Sequence, residues 1–217
     1  MKFLKTYGFH LMVLAVISEL TLPFVLGAFY PDYSQLSMLI SSFGEDKSPV
    51  RMAFKVWVII DGLLFLMTIP AFFQRFKTTS AFLAKALAVT LAIFGIGDCI
   101  ITGLFDRSTE YSGVNIEDLI HDYASGAGFI ALLIGTALLF KLYSLEEKHF
   151  MVTIIPIIFV ISCVLMLLFA LPKIPIIDQL HVPYRGLWQR ANLFFLYLPF
   201  LLAAIESLST QKEGHQK

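Results

Sequence analysis

Six long apolar segments constrain the fold of this chain more than any other feature of its sequence. They lie at about 7–29, 51–73, 81–104, 118–142, 151–171 and 187–208. Each is close to the roughly 20 residues that an α-helix needs to cross the ~30 Å hydrocarbon core of a bilayer. A backbone in lipid must satisfy its own hydrogen bonds, and a helix does so within one segment. The sequence therefore predicts an all-α, polytopic membrane protein with a bundle of six transmembrane helices.

Charge and loop length narrow the function classes. Charged residues make up 15% of the chain, compared with about 25% in soluble domains. Lys plus Arg and Asp plus Glu both number 16, and without a long basic run this balance excludes nucleic acid as a partner. The short connections leave no room for a separate soluble domain. We expect one transmembrane domain over 1–208 and a disordered cytoplasmic tail over 209–217.

The orientation of the bundle follows from its first helix and its cations. Lys2 and Lys5 precede an apolar run that resembles a signal peptide, but the run is long and contains Glu19, so we expect an uncleaved helix. An even number of spans places both termini on one side. That side has nine Lys and Arg residues and the other has seven, which by the positive-inside rule predicts cytoplasmic termini.

The first outer loop contains an apolar pattern of its own. Leu36, Leu39, Ile40 and Phe43 recur at helical spacing after Ser34, a residue type that caps helices. Gly44 and Pro49 then end the pattern. The sequence predicts a short amphipathic helix that lies on the outer membrane surface.

Polar side chains inside the spans cluster toward the outer ends of three helices. Such side chains are costly in hydrocarbon, so each marks a candidate site. In the fourth helix they recur at i, i+3, i+4 and i+7 from Asp118 to Ser125 and share one face. We expect these faces to converge on a pocket that opens toward the outer leaflet. The candidates are Asp98 on the third helix, His121, Asp122 and Ser125 on the fourth, and Arg185, Gln189, Arg190 and Asn192 on the sixth.

A purely structural role for this cluster is an equal alternative. Asp98 or Asp122 would then pair with Arg190, and His121 would donate to a backbone carbonyl group. Two further acids, Glu19 and Asp61, lie closer to the middle of their spans and form either a proton path or internal pairs. Glu19 is followed one turn later by Pro23, a pattern typical of a broken or kinked helix.

Metal and cofactor chemistry have little support in the sequence. The metal candidates His121, His181, Asp98 and Asp122 show no His-x-x-x-His or comparable spacing, so we expect no metal site and no cofactor. Ser41 and Ser42 could face His121 as nucleophiles, but the chain has no Gly-x-Ser-x-Gly elbow.

Three stretches together carry a resemblance to a known family. YPDYSQLSMLISSFGEDKSP, GLFDRSTEYSGVNIEDLIHDYAS and YRGLWQRANLF resemble the bacterial membrane proteins grouped as domain of unknown function 998. That family is similar to the Frag/DRAM/Sfk group of six-helix eukaryotic membrane proteins. The matching positions are Tyr33, Ser34, Ile40, Ser41, Gly44, Gly103, Phe105, His121, Gly186, Gln189 and Arg190.

The resemblance covers nearly the whole chain and implies a six-helix bundle in a bacterial cell membrane. It places Ser41, His121, Gln189 and Arg190 near one another on the outer side. Ser42 and Asp106 depart from the family pattern, which often has an acid and a proline at these positions. No established reaction comes with the family.

Three function classes follow from these residues. The first is binding of a membrane lipid or small amphiphile by Arg190 and Gln189, with Ser41, Asn192, Ser125 and Arg185 as further ligand contacts. The second is an intramembrane hydrolase or transferase with His121 as general base, assisted by Asp122 and Asp98. The third is a small proton-coupled transporter that uses Glu19 and Asp61. A membrane-protein partner or a second copy of the chain is also expected.

Overall fold

The computed structural model describes residues 2–105, 115–171 and 182–215. Six of its helices are long and apolar enough to cross a membrane. They are α1 Lys2–Ala28, α2 Arg51–Phe76, α3 Ala81–Leu104, α4 Ile116–Leu145, α5 His149–Ala170 and α6 Arg185–His215. The described part contains no strand, which confirms the predicted all-α, multi-pass architecture.

Two predicted details of the helices differ from the structure. Helix α6 continues past residue 208 to His215 and so includes most of the predicted disordered tail, while residues 216 and 217 lie outside the described part. Helix α1 runs without a break through Pro23, so Glu19 lies within continuous helix.

The six helices form a closed ring. Each helix packs against its neighbours in the chain, and α6 also packs against α1. Consecutive helices alternate in direction, so both termini lie at one side of the bundle, which we call the inner side; the opposite side is the outer side. Two side chains cap the first turns of helices: Ser80 accepts a hydrogen bond from Leu83 N at α3, and Asn115 accepts one from Glu117 N at α4.

Helix α3 changes register near its outer end. Phe94–Ile101 adopts a π-helix, a conformation that often occurs at functional sites. The hydroxyl group of Thr102 donates to the carbonyl oxygens of Asp98 and Cys99 and so satisfies backbone acceptors in this segment. The π-helix also lies very close to α2, because a Cβ atom at Gly62 would be 2.5 Å from the Gly95 carbonyl oxygen. Small residues permit this approach.

The outer loop is built into the bundle and does not lie on its surface. Ile40–Gly44 forms a five-residue 3₁₀-helix in place of the predicted amphipathic surface helix. Leu39, Ile40 and Phe43 are buried, and only Leu36 of the apolar pattern is exposed. The Phe43 ring stacks on Tyr33 with centroids 4.2 Å apart. These apolar side chains therefore pack into the interior of the bundle, and not onto the membrane surface as the sequence predicted.

Charged residues join three elements at the inner side. Arg75 on α2 donates two hydrogen bonds, of 2.8 Å and 2.7 Å, to the carboxylate of Glu146 after α4. Glu206 on α6 lies 3.4 Å from Arg75 and 3.0 Å from Lys148 Nζ. Thr79 adds a 2.5 Å hydrogen bond to Glu146. This network fixes the inner ends of α2, α4 and α6 relative to one another.

Candidate functional site

A polar cavity of about 40 Å³ lies in the outer half of the bundle. Side chains from every helix except α5, together with the outer loop, form its wall. The polar side chains and the indole that line it are Glu19, Ser41, Trp57, Asp98, Thr102, His121, Ser125 and Gln189. Residues far apart in sequence therefore meet at one depth, as the sequence predicted for Ser41, Asp98, His121, Ser125 and Gln189.

His121 has a defined orientation in this wall. Its side chain is buried, and Nδ1 lies 2.9 Å from the carbonyl oxygen of Phe105 at the end of α3. Because a carbonyl oxygen only accepts, Nδ1 is the donor, and in a neutral ring Nε2 is then the acceptor. The predicted bond from His121 to a backbone carbonyl group is confirmed. The imidazole thus links α3 and α4 as well as lining the cavity.

Asp122 faces a different part of the molecule from His121. It lines a groove of about 140 Å³ between α4 and α5, with Met166 and Phe169 on the opposite wall. Adjacent helical residues point about 100° apart, and here His121 lines the polar cavity whereas Asp122 does not. The sequence grouped them on one face because that face is broad. The expected joint action of the two side chains does not fit this arrangement.

Gln189 and Arg190 hold the outer loop. Oε1 of Gln189 accepts a 2.7 Å hydrogen bond from Ile40 N. Arg190 Nη1 donates to the carbonyl oxygens of Met38 at 3.0 Å and Gly186 at 2.9 Å. These bonds occupy donors and acceptors that the sequence assigned to a ligand. The predicted pairing of Arg190 with Asp98 or Asp122 is wrong.

Tyr33 completes the contact between Arg190 and the outer loop. Its hydroxyl accepts a 2.6 Å hydrogen bond from Arg190 Nη2 and donates one of 2.8 Å to the Leu39 carbonyl oxygen. Burial raises the pKa of Tyr33, and the neighbouring Arg190 offsets only part of this effect. The hydroxyl therefore stays protonated at neutral pH and can donate and accept at once.

The other predicted ligand contacts on α6 do not reach the cavity. Arg185 is the first residue of the helix and is absent from the cavity wall. Asn192 is completely buried, and neither atom of its amide group has a hydrogen-bond partner among the described residues. Its side chain lies within the bundle and away from the cavity wall, and the structure gives no physical reason for its unsatisfied amide.

Glu19 and Asp61 are neighbours in the bundle core. Asp61 is completely buried, and Glu19 is 8% exposed. Their carboxyl groups lie close enough to interact, and Tyr197 donates a 2.9 Å hydrogen bond to Oε2 of Glu19. Ser18 lies near Asp61 and accepts a 2.8 Å hydrogen bond from Trp57 Nε1. The sequence selected both acids but did not place Glu19 in the cavity wall.

An apolar crevice of about 370 Å³ lies beside the polar cavity, between α1 and α6. Its walls include Phe24 and Phe194, which are exposed on the membrane-facing surface. Glu19, Ile40 and Leu193 line both spaces. The crevice and the cavity therefore share a wall, with Glu19 at their boundary.

Sequence reasoning missed Trp57 and Tyr197 at this site, whereas it placed Thr102 on the same polar face of the third helix as Asp98. One signal could have identified Tyr197, because Gln189, Leu193 and Tyr197 are spaced by four residues and share a face of α6. No comparable signal identifies the π-helix that orients Thr102. Among the residues that the structure describes, no three His, Cys, Asp or Glu side chains meet as a metal site. His181 lies outside these residues.

Comparison with known families agrees with the fold. A profile described as "Protein of unknown function (DUF998)" matches residues 13–206, which is most of the chain. The chain belongs to the DUF998 family. No curated protein and no solved structure matches it. Membership of DUF998 confirms the resemblance seen in the sequence, while the narrower similarity to the Frag/DRAM/Sfk group stays a prediction.

The positions that carry the DUF998 pattern have two distinct roles in the structure. Ser41, His121 and Gln189 line the polar cavity. Arg190 lines the neighbouring crevice and fixes the outer loop. In this DUF998 protein the pattern therefore marks the cavity together with the loop that covers it.

Proposed function

We propose that the protein binds a membrane amphiphile, with the apolar chain in the crevice and the polar group directed into the cavity. The single observation that carries this proposal is the shared wall of Glu19, Ile40 and Leu193 between the two spaces. An amphiphile has the same arrangement of an apolar part next to a polar part. The proposed setting is a bacterial cell membrane, with both termini in the cytoplasm.

The sizes of the two spaces support this assignment. A cavity needs about 10–15 Å³ to hold one water molecule. The polar cavity of about 40 Å³ therefore has room for a small polar group and one or two water molecules. The crevice of about 370 Å³ lies within the range of ligand pockets. A large head group held entirely in the cavity is therefore disfavoured.

The contacts of Arg190 modify the role expected from the sequence. Both of its terminal nitrogens already donate to the outer loop or to its own helix. We therefore assign Arg190 to holding Ile40 and its neighbours over the crevice. Recognition of the polar group falls to Glu19, Ser41 and His121 in this proposal.

The hydrolase or transferase alternative has one favourable observation. Ser41 and His121 line the same cavity, so a nucleophile and a general base lie in one wall. Nδ1 of His121 donates to Phe105, which would leave Nε2 as the basic atom. Catalysis predicts that the ligand is converted during incubation, whereas binding predicts that it is recovered unchanged. A membrane-protein partner or homo-oligomer stays a prediction.

The proposal is tested by native mass spectrometry with lipid analysis on detergent-purified protein. Ala191→Trp fills the crevice, and Ala137→Trp places the same side chain in a lipid-facing groove between α4 and α5 as a control. We expect one lipid class to co-purify with the wild type and with Ala137→Trp and to be lost from Ala191→Trp. His121→Ala should reduce its amount.

Thermal unfolding of each variant keeps the result interpretable. Retention of the same lipid by folded Ala191→Trp would refute the crevice as its site. The proposal would also be refuted if the lipids that co-purify with the wild type had the same composition as the whole detergent extract. If His121→Ala only lowers the unfolding temperature and leaves the lipid bound, His121 holds α3 and α4 together and does not contact the ligand.

A further inference from the structure

The chemical class of the polar group can be argued from the charges around Glu19. This inference rests on the proposed amphiphile site. Glu19 lines both the cavity and the crevice, whereas Asp61 lies behind it in the core. Neither carboxyl group forms an ion pair with a Lys or Arg side chain among the residues that the structure describes. Two acids are therefore buried side by side without a cation from that part of the protein.

Asp61 provides an independent indication of how this pair is charged. Both of its carboxyl oxygens are buried and receive no hydrogen bond from a described N–H or hydroxyl group. Ser18 approaches Asp61 but not with the geometry of a hydrogen bond. The remaining neighbour is the Glu19 carboxyl group. Two carboxyl groups can hydrogen-bond to each other only if one is protonated, and two adjacent buried carboxylates repel strongly.

An arrangement with one proton on Asp61 and one negative charge on Glu19 satisfies both conditions and places the charge on the carboxylate that has a donor. That charge has a donor in the Tyr197 hydroxyl, at 2.9 Å from Glu19 Oε2. A neutral hydroxyl does not balance a buried negative charge, and isolated charges are very costly in low dielectric. None of the described residues that line the cavity is Lys or Arg. The nearest such residue in the crevice, Arg190, is bound to the outer loop.

We infer that the ligand is a long-chain amphiphile whose polar group is a monovalent amine cation, bound at the carboxylate of Glu19. An ammonium group has three N–H donors, and the Glu19 and Ser41 side chains in the wall offer oxygen acceptors. The single positive charge of the amine balances the single negative charge of the Glu19 and Asp61 pair. A phosphate or carboxylate head group would meet like charge at this place.

Protons compete with the amine for the same carboxylate. At low pH the second carboxyl group of the pair is protonated, and its attraction for the amine is lost. The other titratable groups that face the pair are Asp98 and Cys99 from α3, His121 from α4 and Tyr197 from α6. Histidine side chains titrate in the physiological range, so His121 requires its own control.

Binding is measured with three probes that share one chain and differ only in the polar group: dodecylamine, dodecanol and dodecyl phosphate. Trp57 lies in the cavity wall and reports on occupancy by its fluorescence. Trp188, whose indole bonds to the Pro183 carbonyl oxygen outside the site, is replaced by Phe in all proteins. The full chain is titrated in a neutral maltoside detergent, with thermal unfolding as the check on folding.

We expect dodecylamine to bind about tenfold or more tightly than dodecanol at about pH 7.5, because hydrogen bonds to a charged group are stronger. Its affinity should fall toward the acid end of a titration from about pH 7.5 to about pH 4, where the pair takes up its second proton, although an amine with a pKa near 10.4 stays charged throughout. The fall should persist in His121→Gln. Glu19→Gln should bring dodecylamine to the affinity of dodecanol, while the exposed Glu147→Gln should change nothing.

The outcomes separate this inference from the function on which it rests. If none of the three probes binds, both fail. If dodecanol or dodecyl phosphate binds as tightly as dodecylamine, the amphiphile site stands and the amine inference is refuted. Asp61→Asn leaves Glu19 in place, so the folded variant should still prefer dodecylamine at about pH 7.5. Loss of that preference would contradict the assignment of the negative charge to Glu19.

Discussion

The Tyr197 hydroxyl donates a 2.9 Å hydrogen bond to Oε2 of Glu19 and so joins α6 to α1 inside the bundle. Tyr197→Phe leaves this buried oxygen without its donor, and we expect a loss of about 1–3 kcal/mol in the free energy of unfolding. Thermal and denaturant unfolding in detergent, followed by circular dichroism, measure the change.

Tyr143→Phe is the matched control for this bond. Tyr143 is as deeply buried as Tyr197, but its hydroxyl has no hydrogen-bond partner among the described residues. Removing an unsatisfied polar atom should leave stability unchanged or raise it slightly. Equal destabilisation by both substitutions would mean that the Tyr197 bond makes no specific contribution.

The outer loop depends on Tyr33 in the same way. Tyr33→Phe removes the acceptor for Arg190 Nη2 and the donor for the Leu39 carbonyl oxygen. We expect proteolysis at residues 34–39 to accelerate, together with a stability loss of about 1–2 kcal/mol. Tyr30→Phe is the control, because Tyr30 packs against the Tyr33 ring but its hydroxyl makes no hydrogen bond with another described residue. Similar proteolysis rates for the two variants would refute this role.

Close contact between α3 and α4 makes Gly128 sensitive to substitution. A Cβ atom at Gly128 would lie 2.5 Å from Cβ of Asp98, whereas one at Gly126 would meet nothing within 4 Å. Gly128→Ala should therefore cost about 1–3 kcal/mol through overpacking. Gly126→Ala should be neutral or stabilise by up to about 1 kcal/mol, because Ala favours helix. Comparable unfolding temperatures for the two variants would contradict the packing at this contact.

The inner ion network predicts a defined pH dependence. Burial alone would raise the pKa of Glu146, but hydrogen bonds from Arg75 and Thr79 outweigh it and hold the pKa below its ordinary value of 4.5. A carboxyl group with a lowered pKa stabilises the fold above its unfolded pKa and loses that contribution as the pH falls through the folded value. Stability should therefore fall as the pH is lowered below 4.5.

Glu146→Gln should reduce stability at neutral pH by about 1–3 kcal/mol and flatten this acid dependence. Glu147→Gln, at the exposed neighbouring position, should keep the wild-type profile. The measurement is the unfolding temperature of the three proteins between about pH 3 and pH 7. An unchanged acid profile in Glu146→Gln would assign the effect to other carboxyl groups.

The cavity was predictable in part because depth along a helix can be counted. Asp98, His121 and Gln189 each lie a similar distance from the outer end of an apolar segment, so the sequence alone placed them at one level. The direction in which a side chain points around its helix could not be predicted in this way. His121 and Asp122 were predicted to act together, yet helix packing directs one to the cavity and the other to α5.

By itself, the sequence determined the six spans, the shared side of the termini and the depth of the polar residues, because each depends on local hydrophobicity and on the length of a helix. Only the tertiary structure decided that Glu19 meets Asp61 and Tyr197, and that Arg190 binds the outer loop. Those pairings depend on the rotation of each helix against its neighbours. That rotation is set by side-chain packing across the whole ring, including the close approach of Gly62 to Gly95.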